Sequence, residues 1–242
     1  MKIDDDIWPA VSLHPWKARP RYDGPITLVE LHATRGGIMG RTAANEYSAT
    51  INWFKSPNNI NEAQTRPWAS MSSYIIGGGK VCRVMPDEWW PSYSLGHADP
   101  FAISIEIGQT LATTPFDPRD IALAAQLCAE LSQEHGIPVR VLPFLSADNH
   151  EAPGYVRHDR SANGQYYGKS DPGPHFNDRA FEEMVRGFMQ EDDVTKEEVL
   201  AMLTFTAAVL RNEIKAGFDQ QGNLLKLGLT DLDARVKKLE EK

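Results

Sequence analysis

The sequence contains very little cysteine and no long apolar run. Only Cys82 and Cys128 occur among the 242 residues, which excludes a disulfide framework and a cysteine-rich zinc site. Both fall within predicted regular elements, so we expect reduced thiols in the core. No stretch approaches the ~20 apolar residues that cross a bilayer, so we predict no membrane insertion.

Positive charge is also in deficit. The chain has 25 Lys+Arg against 33 Asp+Glu, a formal net charge of −8. This balance argues against nucleic acid as a partner, because phosphate binding depends on a basic surface. The chain begins MKIDDD, which is acidic where a secretion signal would be basic and then apolar. We therefore expect synthesis in the cytoplasm without a signal peptide.

Composition divides the chain into three segments. Residues 1–25 carry prolines at short intervals and are predicted to be an extended N-terminal arm. Residues 26–190 form the main domain. Residues 191–242 begin with a charged break and then show a heptad-like apolar seam: Leu225, Leu229, Leu232, Val236 and Leu239. This pattern predicts a C-terminal helical segment. One interpretation is a helical hairpin that packs on itself or on the main domain. The other is an element that forms a homo-oligomer or docks a partner, and of these we favour self-association.

The main domain alternates strand-like and helix-like patterns. Strands are predicted at 26–31, 102–107 and 139–142, with a hairpin around the glycines at 77–79. Capping residues and helical spacing predict helices over 42–55, 117–135 and 178–189. Residues 143–177 are rich in Gly, Pro, Asn and His and are predicted to be one long loop. A loop of this length in a compact domain usually carries function.

Three residues with metal-binding side chains lie at the edges of these elements. His32 comes at the carboxyl end of the first strand, and His158 and Asp171 lie in the long loop. Two imidazoles and one carboxylate are a common set for a catalytic zinc, whose fourth position stays open for water. Composition alone does not select them, since the chain has 7 histidines.

A series of short motifs, in a consistent order and spacing, singles out these three residues as candidate ligands. The motifs are Leu31-His32-Ala33-Thr34, Ser72-Ser73-Tyr74-Ile75-Ile76, Gly96-His97-Ala98, Ile103-Ser104-Ile105-Glu106-Ile107, and His158 followed by Lys169-Ser170-Asp171-Pro172-Gly173-Pro174. With them the chain from about residue 26 to 189 resembles the N-acetylmuramoyl-L-alanine amidases, the type 2 amidases of the peptidoglycan recognition protein superfamily. The resemblance implies an α/β fold with a central mixed β-sheet flanked by helices.

The resemblance also implies a role for each motif residue. His32, His158 and Asp171 would bind Zn²⁺. Glu106 would be the carboxylate that takes and returns a proton beside the metal. Lys169 would be the cation that stabilises the oxyanion formed when an amide carbonyl is attacked.

Three further residues are candidates for substrate binding. Arg35 follows the first ligand and is predicted to pair with a stem-peptide carboxylate. His97 either lines the substrate groove or caps a loop. Ser72 stands where some phage members of the family have a tyrosine, so no catalytic tyrosine is expected at this position.

With these residues, the resemblance implies a zinc-dependent amidase that cleaves the bond between the lactyl group and L-alanine in peptidoglycan. The implied setting is a phage lytic enzyme that acts at the bacterial cell wall after release by lysis machinery or on a phage particle. Two alternatives stay open: a peptidoglycan-binding module without catalysis, and a cytoplasmic amidase that recycles soluble muropeptides.

Overall fold

The computed structural model describes residues 1–21, 24–60, 69–91, 95–149 and 151–190, with the side chain of His97 outside the description. Its strands are β1 (Asp5–Asp6), β2 (Ala18–Pro20), β3 (Leu28–Ala33), β4 (Tyr74–Gly77), β5 (Lys80–Arg83), β6 (Trp89–Pro91), β7 (Ala102–Ile107) and β8 (Gly154–Arg157). Its α-helices are α1 (Trp8–Val11), α2 (Ala43–Lys55), α3 (Pro118–His135), α4 (Ala162–Tyr166) and α5 (Asp178–Met189).

The main sheet has six strands in the order β1-β5-β4-β7-β3-β8. Strands β4, β7, β3 and β8 run parallel to one another, whereas β5 pairs antiparallel with β4. A separate two-stranded sheet joins β2 to β6. The predicted mixed sheet with flanking helices is therefore confirmed.

The predicted helices begin and end at the residues that carry capping signals. The side chain of Thr42 accepts a hydrogen bond from the backbone of Asn45 at the start of α2. Asp117 caps α3, Pro118 is its first residue, and Gly136 ends it in the left-handed conformation with φ 69°. These are local preferences of the backbone and its capping side chains, which is why the sequence identifies them.

The predicted hairpin is formed by β4 and β5. Gly78 and Gly79 connect the strands with φ values of 63° and 76°, a two-residue turn that favours glycine because both positions have positive φ. The buried carboxylate of Asp120, in α3, accepts hydrogen bonds from both glycine N–H groups, at 3.0 and 2.7 Å. This contact ties the hairpin to α3.

The two faces of β3 differ in chemistry. Val29, Leu31 and Ala33 belong to a core cluster with residues of α3 and α5. Side chains alternate along a strand, so Glu30 and His32 project from the opposite face. Both are buried. The face turned away from α3 and α5 therefore carries polar groups in the middle of the sheet.

Two predictions in the second half of the domain are wrong. Residues 139–142 do not form a strand; only Val141 makes an isolated bridge, to Tyr155. Residues 143–177 are not one loop, because they contain β8 and α4. Strand β8 pairs with β3 from Leu28 to Leu31. This long-range pairing stabilises a four-residue strand that lies within a region rich in loop-forming residues.

The N-terminal arm carries regular structure of its own. Strand β1 pairs parallel with β5, and Ile7 and Val11 pack in a core cluster with residues of α2 and of the hairpin. Cys82 and Cys128 are free and buried, as expected. Within the described ranges, no helix has the length and apolarity needed to cross a bilayer. The predicted C-terminal helical segment, 191–242, lies outside the described residues.

Candidate functional site

Three neighbouring parallel strands bring the predicted site residues to one place. In the pairing of β3 with β7, His32 lies opposite Glu106. His158 directly follows β8, the strand on the other side of β3. Asp171 joins them through a backbone contact, since its carbonyl accepts a hydrogen bond from the N–H of Asp159 at 2.8 Å.

The side chains of His32 and His158 both approach one carboxylate oxygen of Asp171. Asp171 Oδ2 lies 3.3 Å from His32 Nδ1 and 3.2 Å from His158 Nδ1. The two imidazole rings lie 4.4 Å apart between centroids. Both histidines are buried. The structure therefore brings the three predicted ligands together, although they are separated by up to 139 positions between Asp171 and His32.

The charges of this cluster shift its protonation equilibria. Burial opposes protonation of His32, but the carboxylates of Glu30, Asp171 and Glu106 outweigh it and raise the pKa of His32 well above its ordinary value. Burial also opposes ionisation of Asp171, yet hydrogen bonds from His158 and His32 hold its pKa well below the usual range. The cluster is therefore built for a negative carboxylate beside a positive charge.

Glu106 extends from β7 toward the same cluster. Burial raises its pKa to about 7, with opposing contributions from the charges of His32 and Lys169. Its Oε2 atom is buried and, among the described residues, has no hydrogen-bond partner. A carboxylate with a pKa near neutrality is able to exchange a proton under physiological conditions.

Lys169 lies on an exposed part of the loop that leads to Asp171. Its backbone N–H donates to the carbonyl of Gly164 in α4 at 2.8 Å. The positive charge of Lys169 is close enough to lower the pKa of Glu106. The predicted cation and the predicted proton-transfer group therefore interact electrostatically.

Arg157 forms hydrogen bonds with the loop that carries Asp171. Its guanidinium is buried and donates to the carboxylates of Asp159 and Asp178, both at 3.0 Å, and to the carbonyl of Gly173 at 3.0 Å. These bonds join the end of β8, the Asp171 loop and the start of α5. Arg157 was not among the residues predicted from the sequence, although a charged side chain at the end of a short apolar run was a usable signal.

Arg35 also forms a hydrogen bond with the loop that carries Asp171. Its Nε donates to Gln109 Oε1 at 2.9 Å and its Nη1 to Ser170 Oγ at 2.7 Å. The backbone of Arg35 has φ 40°, a conformation that costs ~1–3 kcal/mol in a non-glycine residue. The guanidinium thus connects two loops at the site, and binding of a stem-peptide carboxylate by Arg35 stays a prediction.

The other two predicted substrate-binding residues are Ser72 and His97. Ser72 is fully buried, and its hydroxyl donates to the carbonyl of Tyr74 at 2.9 Å. The backbone of His97 lies in the 3₁₀ helix Gly96–Phe101, but its side chain lies outside the described part of the structure. Substrate contact by either residue stays a prediction.

Glu30 is a second residue of the site that the sequence analysis missed. Its Oε2 atom lies 2.6 Å from His32 Nε2. Glu30, His32 and His158 each offer a possible ligand atom, and these atoms all lie within 4.8 Å of one another. The available signal was a glutamate inside the apolar run of β3, two positions before His32 and so on its face of the strand.

Comparison with known families gives one match over most of the described domain. Residues 22–174 match the family model described as N-acetylmuramoyl-L-alanine amidase. This range contains all the predicted site residues. No curated protein sequence matches the chain.

Several solved structures are similar to this chain at low sequence identity. The crystal structure of a selenomethionine AmpD derivative is 17% identical, with a TM-score of 0.52, covering 76% of this chain and 99% of that one. The catalytic domain of XlyA is 18% identical, with a TM-score of 0.46 and coverages of 78% and 99%. The amidase LysC from Clostridium intestinale is 15% identical, with a TM-score of 0.45 and coverages of 77% and 97%. At this identity, the AmpD comparison shows a common fold and nothing further.

Proposed function

Because the chain belongs to the N-acetylmuramoyl-L-alanine amidase family, we propose that it hydrolyses the amide bond between the lactyl group of N-acetylmuramic acid and L-alanine in peptidoglycan. The observation that carries the proposal is the convergence of His32, His158 and Asp171, with Glu106 and Lys169 beside them. Nucleophilic attack on an amide needs an activated water molecule and stabilisation of the oxyanion. The site offers residues for both.

Two distances among the three converging side chains fit a zinc ion. Two ligands of a tetrahedral zinc with bonds of 2.0–2.1 Å lie about 3.3 Å apart, and Asp171 Oδ2 lies 3.3 Å from His32 Nδ1 and 3.2 Å from His158 Nδ1. Two neutral imidazoles and a carboxylate are donors that zinc accepts. Zinc held there supplies Lewis acidity, which polarises an amide carbonyl and makes water a stronger acid.

Glu106 and Lys169 are proposed to divide the remaining chemistry. Glu106 accepts a proton from the attacking water and returns it to the leaving amine, for which a pKa of about 7 is well suited. Lys169, with its ammonium on an exposed loop, stabilises negative charge on the carbonyl oxygen.

The proposal is tested by metal content and product release. We expect the purified protein to hold one zinc ion and to release new amino termini from purified cell wall. The Asp171→Ala variant is expected to lose both properties, because one of three ligands is removed. A folded wild-type protein that holds zinc but releases no amino termini would instead indicate the binding module without catalysis.

The setting is proposed to be cell-wall lysis, such as that carried out by a phage lytic enzyme. The competing role is recycling of soluble muropeptides in the cytoplasm. Turnover on intact sacculi and on soluble fragments separates the two roles. Faster turnover on sacculi supports lysis, and turnover confined to soluble fragments contradicts it.

We also propose that the heptad-like seam in residues 194–242 mediates self-association. The proposal rests on the spacing of its apolar residues in the sequence. Light scattering of the full chain is expected to give a mass larger than the 27.0 kDa of one chain. The Leu232→Glu variant, which puts a charge into the seam, is expected to lower that mass; an unchanged mass contradicts the proposal.

A further inference from the structure

Glu30 lies in close contact with the candidate ligand His32, with 2.6 Å between Glu30 Oε2 and His32 Nε2. It is fully buried in β3, the strand between β7 and β8, and its pairing partners in the register are Ser104 and Val156. A carboxylate in the middle of a sheet costs free energy unless strong hydrogen bonds compensate for its lost hydration. The contact with His32 Nε2 at 2.6 Å is such a bond.

Distance alone allows two roles for Glu30. Its carboxylate, His32 and His158 offer ligand atoms within 4.8 Å of one another, so Glu30 is geometrically a candidate metal ligand. Alternatively, Glu30 orients His32 without touching the metal. The position of each ring nitrogen of His32 decides between these roles.

The two ring nitrogens of His32 face different carboxylates. Nδ1 lies 3.3 Å from Asp171 Oδ2, the oxygen that also lies 3.2 Å from His158 Nδ1. Nε2 lies 2.6 Å from Glu30 Oε2. This second distance is shorter than the about 3.3 Å that separates two ligands of one tetrahedral zinc. It is a hydrogen-bond distance, which requires a proton on Nε2 or on the carboxylate.

We propose that Glu30 is a positioning residue that accepts the Nε2–H of His32 and so presents Nδ1 to a metal ion shared with His158 and Asp171. This inference rests on the zinc site proposed above. A carboxylate that accepts the second N–H of a ligating histidine fixes the tautomer and the ring orientation and increases the basicity of the ligand. Loss of such a partner typically weakens metal binding by about 10–100-fold.

The first test measures zinc affinity by competition with a chelator. Glu30→Gln preserves the size of the side chain but removes its charge. We expect this variant to bind one zinc ion about 10–100-fold more weakly than wild type. Asp120→Asn is the matched control, since Asp120 is another fully buried carboxylate but bonds the hairpin glycines. Its zinc affinity is expected to equal that of wild type.

The second test replaces zinc with Co²⁺, whose visible absorption reports the number and kind of ligands. We expect the cobalt spectra of wild type and Glu30→Gln to have the same intensity and band positions, because Glu30 is not a ligand. A spectrum altered to that of a site with one ligand fewer would identify Glu30 as a ligand and overturn the proposal. An unchanged zinc affinity in Glu30→Gln would overturn it as well.

A third measurement needs no substitution in Glu30. In zinc-loaded wild-type protein, nuclear magnetic resonance is expected to show a slowly exchanging proton on His32 Nε2, assigned with the His32→Gln variant. Absence of that signal contradicts the proposal even if Glu30→Gln does not fold. Failure of wild type to bind zinc overturns the zinc site itself, whereas tight binding without this proton overturns only the role of Glu30.

Discussion

Asp120, a fully buried carboxylate beside the hairpin, and Glu106, a partly buried one at the candidate site, differ in their hydrogen-bond partners. Asp120 accepts two backbone hydrogen bonds, from Gly78 and Gly79, one on each carboxylate oxygen. Glu106 has a buried oxygen, Oε2, with no hydrogen-bond partner among the described residues. Burial raises the pKa of both, to about 6 for Asp120 and about 7 for Glu106.

The two carboxylates differ in how many of their oxygen atoms accept hydrogen bonds from the surrounding chain. Each oxygen of Asp120 accepts a backbone hydrogen bond, so the carboxylate joins α3 to the hairpin. A buried acceptor without a partner costs free energy in the folded protein. Groups with this unfavourable free energy are found at functional sites, and the proposed function of Glu106 is proton transfer. The following predictions test this contrast between the two carboxylates.

The largest effect is expected for Glu106→Gln. The amide cannot accept and return a proton, so we expect the amidase rate to fall by about 10²–10⁴-fold, the usual contribution of general acid–base catalysis. Thermal unfolding should be unchanged or shifted upward, since a buried charge has been removed. Steady-state kinetics and a melting curve provide the two readings. A variant that retains the wild-type rate would contradict the role of Glu106.

A smaller loss is expected for Lys169→Met. Removal of one oxyanion-stabilising group typically costs about 10²–10³-fold in kcat. The variant should also raise the pKa of Glu106, because the positive charge of Lys169 lowers it in wild type. The acidic limb of the pH–rate profile is therefore expected to move to higher pH. Lys169→Arg, which keeps the charge, is the control and should leave that limb in place.

Gly173→Ala is expected to disturb the loop that carries Asp171. A Cβ atom at this position would lie 2.2 Å from Arg35 Nη2, and the backbone has φ 77°. Gly136 has a similar φ of 69°, but a Cβ atom added there would meet no described atom within 4 Å. We expect Gly136→Ala to lose about 1 kcal/mol of unfolding free energy and Gly173→Ala to lose roughly 1–3 kcal/mol.

Urea unfolding of both glycine variants measures this difference, and zinc titration shows whether it reaches the site. Only Gly173→Ala is expected to bind zinc more weakly, because only its added methyl group displaces Arg35. Equal losses of stability in the two variants, with zinc affinity preserved in both, would show that Arg35 does not hold the loop.

The smallest effect on activity is expected for Asp120→Asn. The amidase rate should equal that of wild type, because Asp120 lies under the hairpin. The effect on stability depends on pH. The pKa of Asp120 is about 6 in the folded protein and 3.8 ordinarily, so its contribution is fully present below pH ~4 and is lost as the pH rises through 6.

The size of this pH effect follows from the two pKa values. Relative to the variant, wild type is expected to lose up to about 3 kcal/mol of unfolding free energy between pH 4 and pH 7. Urea unfolding of both proteins at several pH values measures the loss. A constant difference across this range would show that Asp120 titrates normally.

Local signals identified the elements whose ends are set by a few neighbouring residues. The cap at Thr42, the Asp117-Pro118 start of α3, its Gly136 end and the two-residue turn of the hairpin were all readable in the sequence. Strand β8 was not, because four residues in a Gly- and Pro-rich region give no periodicity of their own. Its pairing with β3 is what makes it a strand.

The candidate site residues were likewise named from the sequence, since the family resemblance of the motifs points to His32, His158, Asp171, Glu106 and Lys169. Their meeting point was decided by the tertiary structure. Parallel pairing of β7, β3 and β8 aligns strand ends that are far apart in the chain. The same pairing buries Glu30 against His32 Nε2. A strand's own sequence specifies which side chains share a face, but which neighbours those side chains meet depends on contacts between distant segments.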